Sequence, residues 1–331
     1  MIQAPIFDDA DELLYQYSPS RWSKRNFKTS DDVVMDHVNT LQNGSKTILS
    51  EAMEQQNNET DGLVATLDVM HTTNKKNATK EASLDIFYPS LSSTSQKDQD
   101  YDKDSHTKRK YPVLIYIHGG YWQALDKRSS SWHLNTFRQN GVGLVALGYD
   151  LCPSVSFADL NEQVNNGIAK TVELFPGHPI YICGHSAGGH LAGMALCVDW
   201  KKKYNINDPF IHGFIVVSGC FDLRLLIKTK ENDALKLNEE GAITYSPVLQ
   251  TVSASGVIEN VKGIIAFGEN ESDEFKRMSK NYFTYLKDNK YENIQIMELE
   301  NEDHFTVIER LQESNYELSM EALKLIRNIK G

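Results

Sequence analysis

The chain has 331 residues, and its 34 basic and 45 acidic side chains give a formal net charge of −11. This acidic balance disfavours nucleic acid or an anionic membrane as the main partner, and the length fits one large α/β domain or two small ones. The N-terminus lacks the basic and apolar segments of a signal peptide, and no apolar run reaches the ~20 residues that span a bilayer. We therefore expect a cytoplasmic protein with no membrane partner.

The N-terminal part of the chain predicts a lead-in, a long helix and two strands. A short helix is predicted near 11–17, and the sequence S-D-D at 30–32 predicts a second helix, capped by Ser30 and ending near residue 56. Alternating apolar residues predict strands at 62–69 and 82–88. Because no helix separates these two strands, we expect them to pair antiparallel.

Beyond this part, a polar stretch is followed by a regular alternation of strands and helices. Residues 90–110 are almost entirely polar and cannot bury a core, so they are predicted to form a surface insertion. Apolar runs predict strands at 112–117, 143–147, 179–183, 210–217, 261–267 and 294–299. Helical patterns occupy 126–139, 157–174, 189–196, 272–288 and 305–329, with a small helical excursion over 223–250. This alternation predicts an α/β fold, with a mostly parallel sheet covered by helices on both faces, in one domain over 1–331.

The four cysteines predict buried thiols. None belongs to a C-x-x-C pair, and most lie in apolar runs: they are Cys152, Cys183, Cys197 and Cys220. We therefore expect reduced cysteines rather than disulfides or a metal site, and no cofactor.

One short motif organises the chain. The sequence G-H-S-A-G at 184–188 follows a predicted strand and opens a predicted helix, which is the context of a nucleophile elbow. Gly184 and Gly188 remove side chains that would collide with neighbouring backbone in so sharp a turn. The motif places Ser186 at the end of the strand as a candidate nucleophile, with a helix N-terminus to stabilise negative charge.

A serine nucleophile needs a base and an orienting carboxylate, which follow it in the order acid and then histidine. His304 follows the last predicted strand and is the candidate base. The loop after the strand at 261–267 holds two candidate acids, Glu271 and Asp273. Glu271 is preferred because Ser272 is a suitable helix N-cap and Asp273 then suits the first turn of that helix. Asp273 remains the alternative.

The tetrahedral intermediate also needs preorganised N–H donors. The residue after the nucleophile, Ala187, supplies one. The sequence H-G-G-Y-W at 118–122 follows an earlier strand and is similar to the H-G-G-G type of oxyanion loop. The backbone N–H groups of Gly120 and Tyr121 are therefore the other candidate donors.

These motifs together resemble those of the kynurenine formamidase (arylformamidase) family of α/β-hydrolases. The resemblance rests on H-G-G-x-W at 118–122, the lead-in Y-S-P-S-R-W at 17–22, Y-D-L-C-P at 149–153, the elbow, and D-H-F at 303–305. It covers most of the chain outside the polar insertion. It implies hydrolysis of N-formyl-L-kynurenine to L-kynurenine and formate, with Ser186, His304 and Glu271 as the triad. Glu271 is a departure, since the family pattern has aspartate there.

The substrate implied by the resemblance is a small aromatic molecule. Trp122 and Tyr121 are expected to flank its ring, and Tyr17 and Trp22 to close over it. A general carboxylesterase of the hormone-sensitive-lipase-like branch is the main alternative, and a non-catalytic binding protein on a hydrolase scaffold is the second. For the oligomeric state, we consider a homodimer.

Overall fold

The structure is a computed structural model that describes residues 7, 9–57, 63–71, 79–89, 110–207, 209–251 and 260–327. Almost all of the predicted insertion at 90–110 lies outside these residues. Two helices come first in the chain, α1 at Ala10–Gln16 and α2 at Ser30–Asn57. The prediction that Ser30 caps α2 was wrong by one residue. The cap is Thr29, whose hydroxyl accepts from the Asp32 amide at 3.1 Å while its own amide donates to the Asp32 carboxylate at 3.0 Å.

In the described part of the chain, eight strands form one sheet in the order β1-β2-β4-β3-β5-β6-β7-β8. The strands are β1 Leu63–Met70, β2 Ser83–Pro89, β3 Val113–Ile117, β4 Gly143–Leu147, β5 Ile180–His185, β6 Ile211–Val217, β7 Lys262–Asn270 and β8 Ile294–Asp303. Strand β2 runs antiparallel to both β1 and β4, and the pairs from β4 to β8 are parallel. The predicted antiparallel start and mostly parallel sheet are confirmed, and the chain has an α/β-hydrolase fold.

The remaining helices lie between and after these strands. They are α3 Leu134–Arg138, α4 Phe157–Leu174, α5 Ala187–Ala195, α6 Trp200–Tyr204, α7 Asn232–Leu235, α8 Glu239–Thr244, α9 Asp273–Asp288, α10 Thr306–Glu309 and α11 Glu317–Arg327. Helices α7 and α8 lie in the predicted excursion over 223–250. Ser272 caps α9, as expected, by accepting from the Phe275 amide at 3.2 Å.

Two predicted helices are interrupted. In the 126–139 segment only a short 3-10 turn and α3 form, because Ser129 and Ser130 hydroxyls both bond the Asp126 carbonyl, at 2.7 and 3.1 Å. Such local side-chain bonds compete with helix continuation. The 305–329 segment divides into α10 and α11, separated by a stretch that includes Ser314 and Asn315, residue types that favour turns over helix interiors.

Successive residues of a strand point to opposite faces of the sheet and so contribute to two hydrophobic cores, one on each face. On β3, Ile115 belongs to the core that includes residues of α4, α5 and α9, whereas Tyr116 belongs to the core that includes residues of α2, α3 and α11. The sheet is therefore covered by helices on both faces, as predicted. All four cysteines are free thiols, and three of them are buried. Among the helices in the described ranges, none combines the length and the apolar character needed to cross a membrane.

Candidate active site

The turn between β5 and α5 holds Ser186 in a strained backbone conformation, with φ 54° and ψ −118°. The flanking glycines make this turn possible. A Cβ atom on Gly184 would lie 2.2 Å from the Gly188 carbonyl oxygen, and one on Gly188 would lie 2.0 Å from the Ile117 carbonyl oxygen in β3. No side chain fits at these distances. A non-glycine residue held in such a conformation is typical of functional sites, where the surrounding structure maintains the strain.

His304 follows β8 and faces Glu271, which follows β7. Their side chains are buried, and His304 Nδ1 lies 2.6 Å from Glu271 Oε1. Because a carboxylate only accepts hydrogen bonds, Nδ1 donates here, and in the neutral ring Nε2 is left as an acceptor. Asp273, the alternative acid, is exposed and is the first residue of α9. The structure thus brings Glu271, and not Asp273, to the histidine.

The backbone around His304 is fixed by a charged cluster that the sequence did not reveal. The Asp303 carboxylate accepts from the Ser23 hydroxyl at 2.5 Å, from Arg25 Nε at 3.1 Å, and from the Phe305 and Thr306 amides at 2.8 Å each. Burial alone would raise the pKa of Asp303, but the hydrogen bonds from Arg25, Ser23 and Thr306 outweigh it and lower the pKa to about 2. This carboxylate is therefore held ionised.

Three further contacts tie the histidine loop to its surroundings. Arg25 also pairs with Glu309 at 2.9 Å, and Glu309 accepts from Nδ1 of the buried His37 on α2 at 2.7 Å. Burial lowers the pKa of His37, although the bond to Glu309 acts in the opposite direction. His185, beside the nucleophile, donates from Nε2 to the His304 carbonyl at 2.7 Å. The elbow and the histidine loop are thus joined directly.

The loop after β3 lies close to the nucleophile. A Cβ atom on Gly119 would lie 2.9 Å from the His185 carbonyl oxygen and 3.2 Å from Ser186 Cβ. Gly120 and Tyr121 have positive φ angles of 97° and 49°. In the described part of the chain their amides donate no hydrogen bond. These amides are therefore free to donate to a bound oxygen.

The third predicted donor lies at the start of α5. Ala187 is the first residue of that helix, where amides have no intrahelical acceptor. The helix dipole adds partial positive charge at the same point. The three predicted donors thus belong to the two segments that meet at Ser186.

A cavity of about 300 Å³ opens above these groups. Its lining includes Ser186, His304, Gly120, Tyr121 and Tyr17. The Tyr121 hydroxyl donates to the Tyr17 carbonyl at 2.8 Å, which links the oxyanion loop to the lead-in. The structure therefore brings most of the predicted site residues to one space.

Neither of the two tryptophans that were predicted to contact the substrate lines this cavity. Trp122 is fully buried, does not line this cavity, and packs edge-on against Phe157 and His190 at centroid distances of 5.2 and 5.0 Å. Trp22 packs on Tyr15 at 4.7 Å and also lies outside the cavity lining. This burial of Trp122 does not favour a direct contact with substrate.

Within the residues that the structure describes, no group of three or more histidine, cysteine or acidic side chains is arranged to hold a metal ion. The chain itself places a strained serine, a histidine paired with a carboxylate, and free amides at the cavity. Such a set suits acyl transfer through a covalent serine intermediate.

Comparison with known proteins gives relatives over nearly the whole chain. A kynurenine formamidase from Salmo salar is 32% identical over 318 residues, which cover 96% of this chain and 96% of the relative. One from Danio rerio is 32% identical over 322 residues with the same coverage. One from Drosophila melanogaster is 26% identical over 234 residues, or 68% of this chain and 75% of the relative.

Two other comparisons concern the fold. A family model described as BD-FAE matches residues 100–208. A crystal structure of a putative thioesterase from Silicibacter sp. TM1040 superimposes with a TM-score of 0.70 at 20% identity, covering 95% of this chain and 98% of that one. Carboxyl esterase 2 from Tuber melanosporum gives a TM-score of 0.58 at 16% identity, covering 82% and 86%. At these identities the two structures show a shared fold.

Proposed function

This chain belongs to the kynurenine formamidase family, and from that premise we propose that it hydrolyses the formamide of N-formyl-L-kynurenine to L-kynurenine and formate. The observation that carries the proposal is the cavity into which Ser186, His304 and the oxyanion loop converge. Family membership supports the choice of substrate, and the arrangement of these groups supports the chemistry.

In the first half of the proposed reaction, Ser186 Oγ attacks the formyl carbon while His304 Nε2 takes the hydroxyl proton. Glu271 accepts from Nδ1, holds the ring in the tautomer with a free Nε2, and stabilises the imidazolium. The oxyanion is bound by the amides of Gly120, Tyr121 and Ala187. Collapse of the intermediate breaks the C–N bond, and His304 returns the proton to the leaving aryl amine.

In the second half, water attacks the formyl ester on Ser186, and His304 takes a proton from that water. The second tetrahedral intermediate expels the serine oxygen, which recovers its proton from the imidazolium, and the formic acid so formed loses its proton to solvent and leaves as formate. The same three amides bind the oxyanion in both halves. The close approach of Gly119 to Ser186 supports a small acyl group, since it limits the space beside the nucleophile.

The proposed substrate contacts follow the cavity lining. Tyr121 and Tyr17 line the cavity and are proposed to contact the aryl ring. Trp122, which was predicted to flank that ring, is proposed instead to support the oxyanion loop through packing and through its carbonyl, which accepts from the Cys152 amide at 2.9 Å. The free thiols support a reducing compartment such as the cytoplasm. A homodimer remains a prediction.

The test is kcat/KM of the purified protein on N-formyl-L-kynurenine beside p-nitrophenyl acetate. We expect a strong preference for the formamide, and loss of both activities in Ser186→Ala. Ser218→Ala is a matched control, because Ser218 is also a buried serine just after a strand of the same sheet but does not line the cavity. It should keep most of the activity.

The other possible outcomes of this assay would point to a different function. Activity on the ester alone would identify a general carboxylesterase. A folded protein with no activity on either substrate would support the non-catalytic binding protein. Labelling of Ser186 by an organophosphonate separates the last case, since a scaffold without a working nucleophile does not react.

A further inference from the structure

The cavity lining contains charged side chains that the proposed chemistry does not use. They are Asp31, Lys230 and Glu231. Asp31 lies in the first turn of α2, and the other two are consecutive residues just before α7. One cationic and two anionic groups thus share a cavity with the nucleophile.

Glu231 is the most constrained of these groups. Its side chain is half-buried, and in the described part of the chain its carboxylate has no hydrogen bond or ion pair. Desolvation raises the pKa of this carboxyl, while the charge of Lys230 acts to lower it and that of Asp233 to raise it. A half-buried carboxylate without a hydrogen-bonded partner is costly, and a cationic group that enters the cavity would offset that cost.

The position of Glu231 is set by its backbone. Its carbonyl accepts from Gln123 Nε2 at 2.9 Å, and the same amide group donates to the Tyr121 carbonyl at 3.2 Å. Gln123 therefore couples the segment that bears Lys230 and Glu231 to the oxyanion loop. A substitution of the Glu231 side chain removes the carboxylate but leaves this backbone connection in place.

We propose that Lys230 and Glu231 form a subsite for a zwitterionic α-amino acid group, in which Glu231 binds the ammonium and Lys230 binds the carboxylate of the substrate side arm. Lys230 is exposed, and in the described residues it has no ion pair, so it is available to a ligand. Asp31 adds negative potential to the same cavity and favours a cationic group there. The inference rests on the proposed function and states which part of the substrate those side chains recognise.

The experiment compares two formamides on the wild type and on Glu231→Gln. One substrate is N-formyl-L-kynurenine. The other is 2′-formamidoacetophenone, which has the same aryl formamide and ketone but no amino acid arm. The matched control is Asp233→Asn, because Asp233 is an exposed carboxylate two residues away that does not line the cavity.

We expect Glu231→Gln to lower kcat/KM for N-formyl-L-kynurenine by about 10- to 100-fold, mainly through KM, the range for loss of a hydrogen bond between charged groups. Activity on 2′-formamidoacetophenone should stay within about twofold, and Asp233→Asn should change neither substrate by more than about twofold. Lys230→Met should likewise affect only the substrate with the arm.

Equal loss on both formamides would overturn the inference, because it would indicate a structural role for Glu231. An unchanged KM for N-formyl-L-kynurenine in both variants would overturn it as well. These results leave the proposed function intact. A wild type that cleaves neither formamide but still cleaves p-nitrophenyl acetate would instead refute the proposed function, and the inference with it.

Discussion

Glu271 and Asp273 are two residues apart in one loop, yet their surroundings differ completely. The Glu271 side chain is buried and bonds His304 at 2.6 Å, whereas Asp273 is exposed at the start of α9. The other Glu271 oxygen is buried and has no partner among the described residues. Within the described residues, the contact with His304 is thus the hydrogen bond that holds this carboxylate. This arrangement makes Glu271 the orienting acid of the proposed triad.

Substitution of the two acids should separate their roles. We expect Glu271→Gln to lower kcat by a factor on the order of 10⁴, since the amide does not hold the productive tautomer or stabilise the imidazolium. Asp273→Asn should stay within about twofold of the wild type, because it removes only a favourable interaction with a helix N-terminus. Steady-state kinetics on N-formyl-L-kynurenine measure both. A large loss in Asp273→Asn with an active Glu271→Gln would refute the assignment.

At the scale of elements, the N-terminal lead-in is part of the site. Arg25 joins three carboxylates from different parts of the chain, on Asp36, Asp303 and Glu309. The Arg25–Asp303 pair connects the lead-in to the end of β8, directly before His304. Both side chains are largely buried, with 15% and 4% of their areas exposed. Removing one partner of such a pair leaves an uncompensated charge inside the protein.

We expect Arg25→Met to lower the free energy of unfolding at pH 7 by about 3 kcal/mol, as measured by urea denaturation. Arg21→Met is the matched control, because Arg21 is an exposed arginine of the same segment, and it should change stability by less than about 0.5 kcal/mol. The lead-in would have no such structural role if both variants were equally stable.

The same pair predicts how stability depends on pH. In the wild type the pKa of Asp303 is lowered from 3.8 to about 2. The contribution of this carboxylate to the free energy of unfolding is therefore fully present above its ordinary pKa and is lost as the pH falls towards 2. The difference in stability between the wild type and Arg25→Met should therefore be constant above about pH 5 and shrink below about pH 4. A difference that does not change between pH 7 and pH 3 would contradict this account.

At the scale of the whole molecule, the two cores on either side of the sheet enclose three of the four thiols, and the fourth, Cys197, is half-buried. Burial raises the pKa of Cys152 to about 11 and of Cys197 to about 12, and those of Cys183 and Cys220 are raised as well. A protonated, buried thiol is a poor nucleophile. We therefore expect the folded protein to be insensitive to thiol reagents at neutral pH.

Titration with 5,5′-dithiobis(2-nitrobenzoic acid) tests this expectation. All four thiols should react within minutes in guanidinium chloride, and the native protein should react much more slowly. The melting temperature should be the same with and without reductant. Fewer than four reactive thiols in the denatured, unreduced protein would reveal a disulfide.

Sequence alone determined the fold class and the order of the reactive groups. The elbow, the oxyanion loop and His304 are recognised from local requirements, such as glycines where a side chain collides with backbone, and strands and helices that bury apolar residues with fixed periods. These requirements act within a few residues, so they are visible in the linear chain. The N-cap of α2 and the interruption of the 126–139 helix differ from prediction because side-chain hydrogen bonds, which periodicity does not register, set the helix ends.

Only the tertiary structure decided how the site is supported and what lines it. The Arg25–Asp303 pair joins residues 278 positions apart, and the burial of Trp122 depends on packing against helices α4 and α5. The choice of Glu271 over Asp273, and the presence of Lys230 and Glu231 in the cavity that Ser186 lines, also follow from how distant loops meet at the carboxyl edge of the sheet. Contacts of this kind leave no local pattern in the sequence, because either partner alone has the composition of an ordinary surface loop.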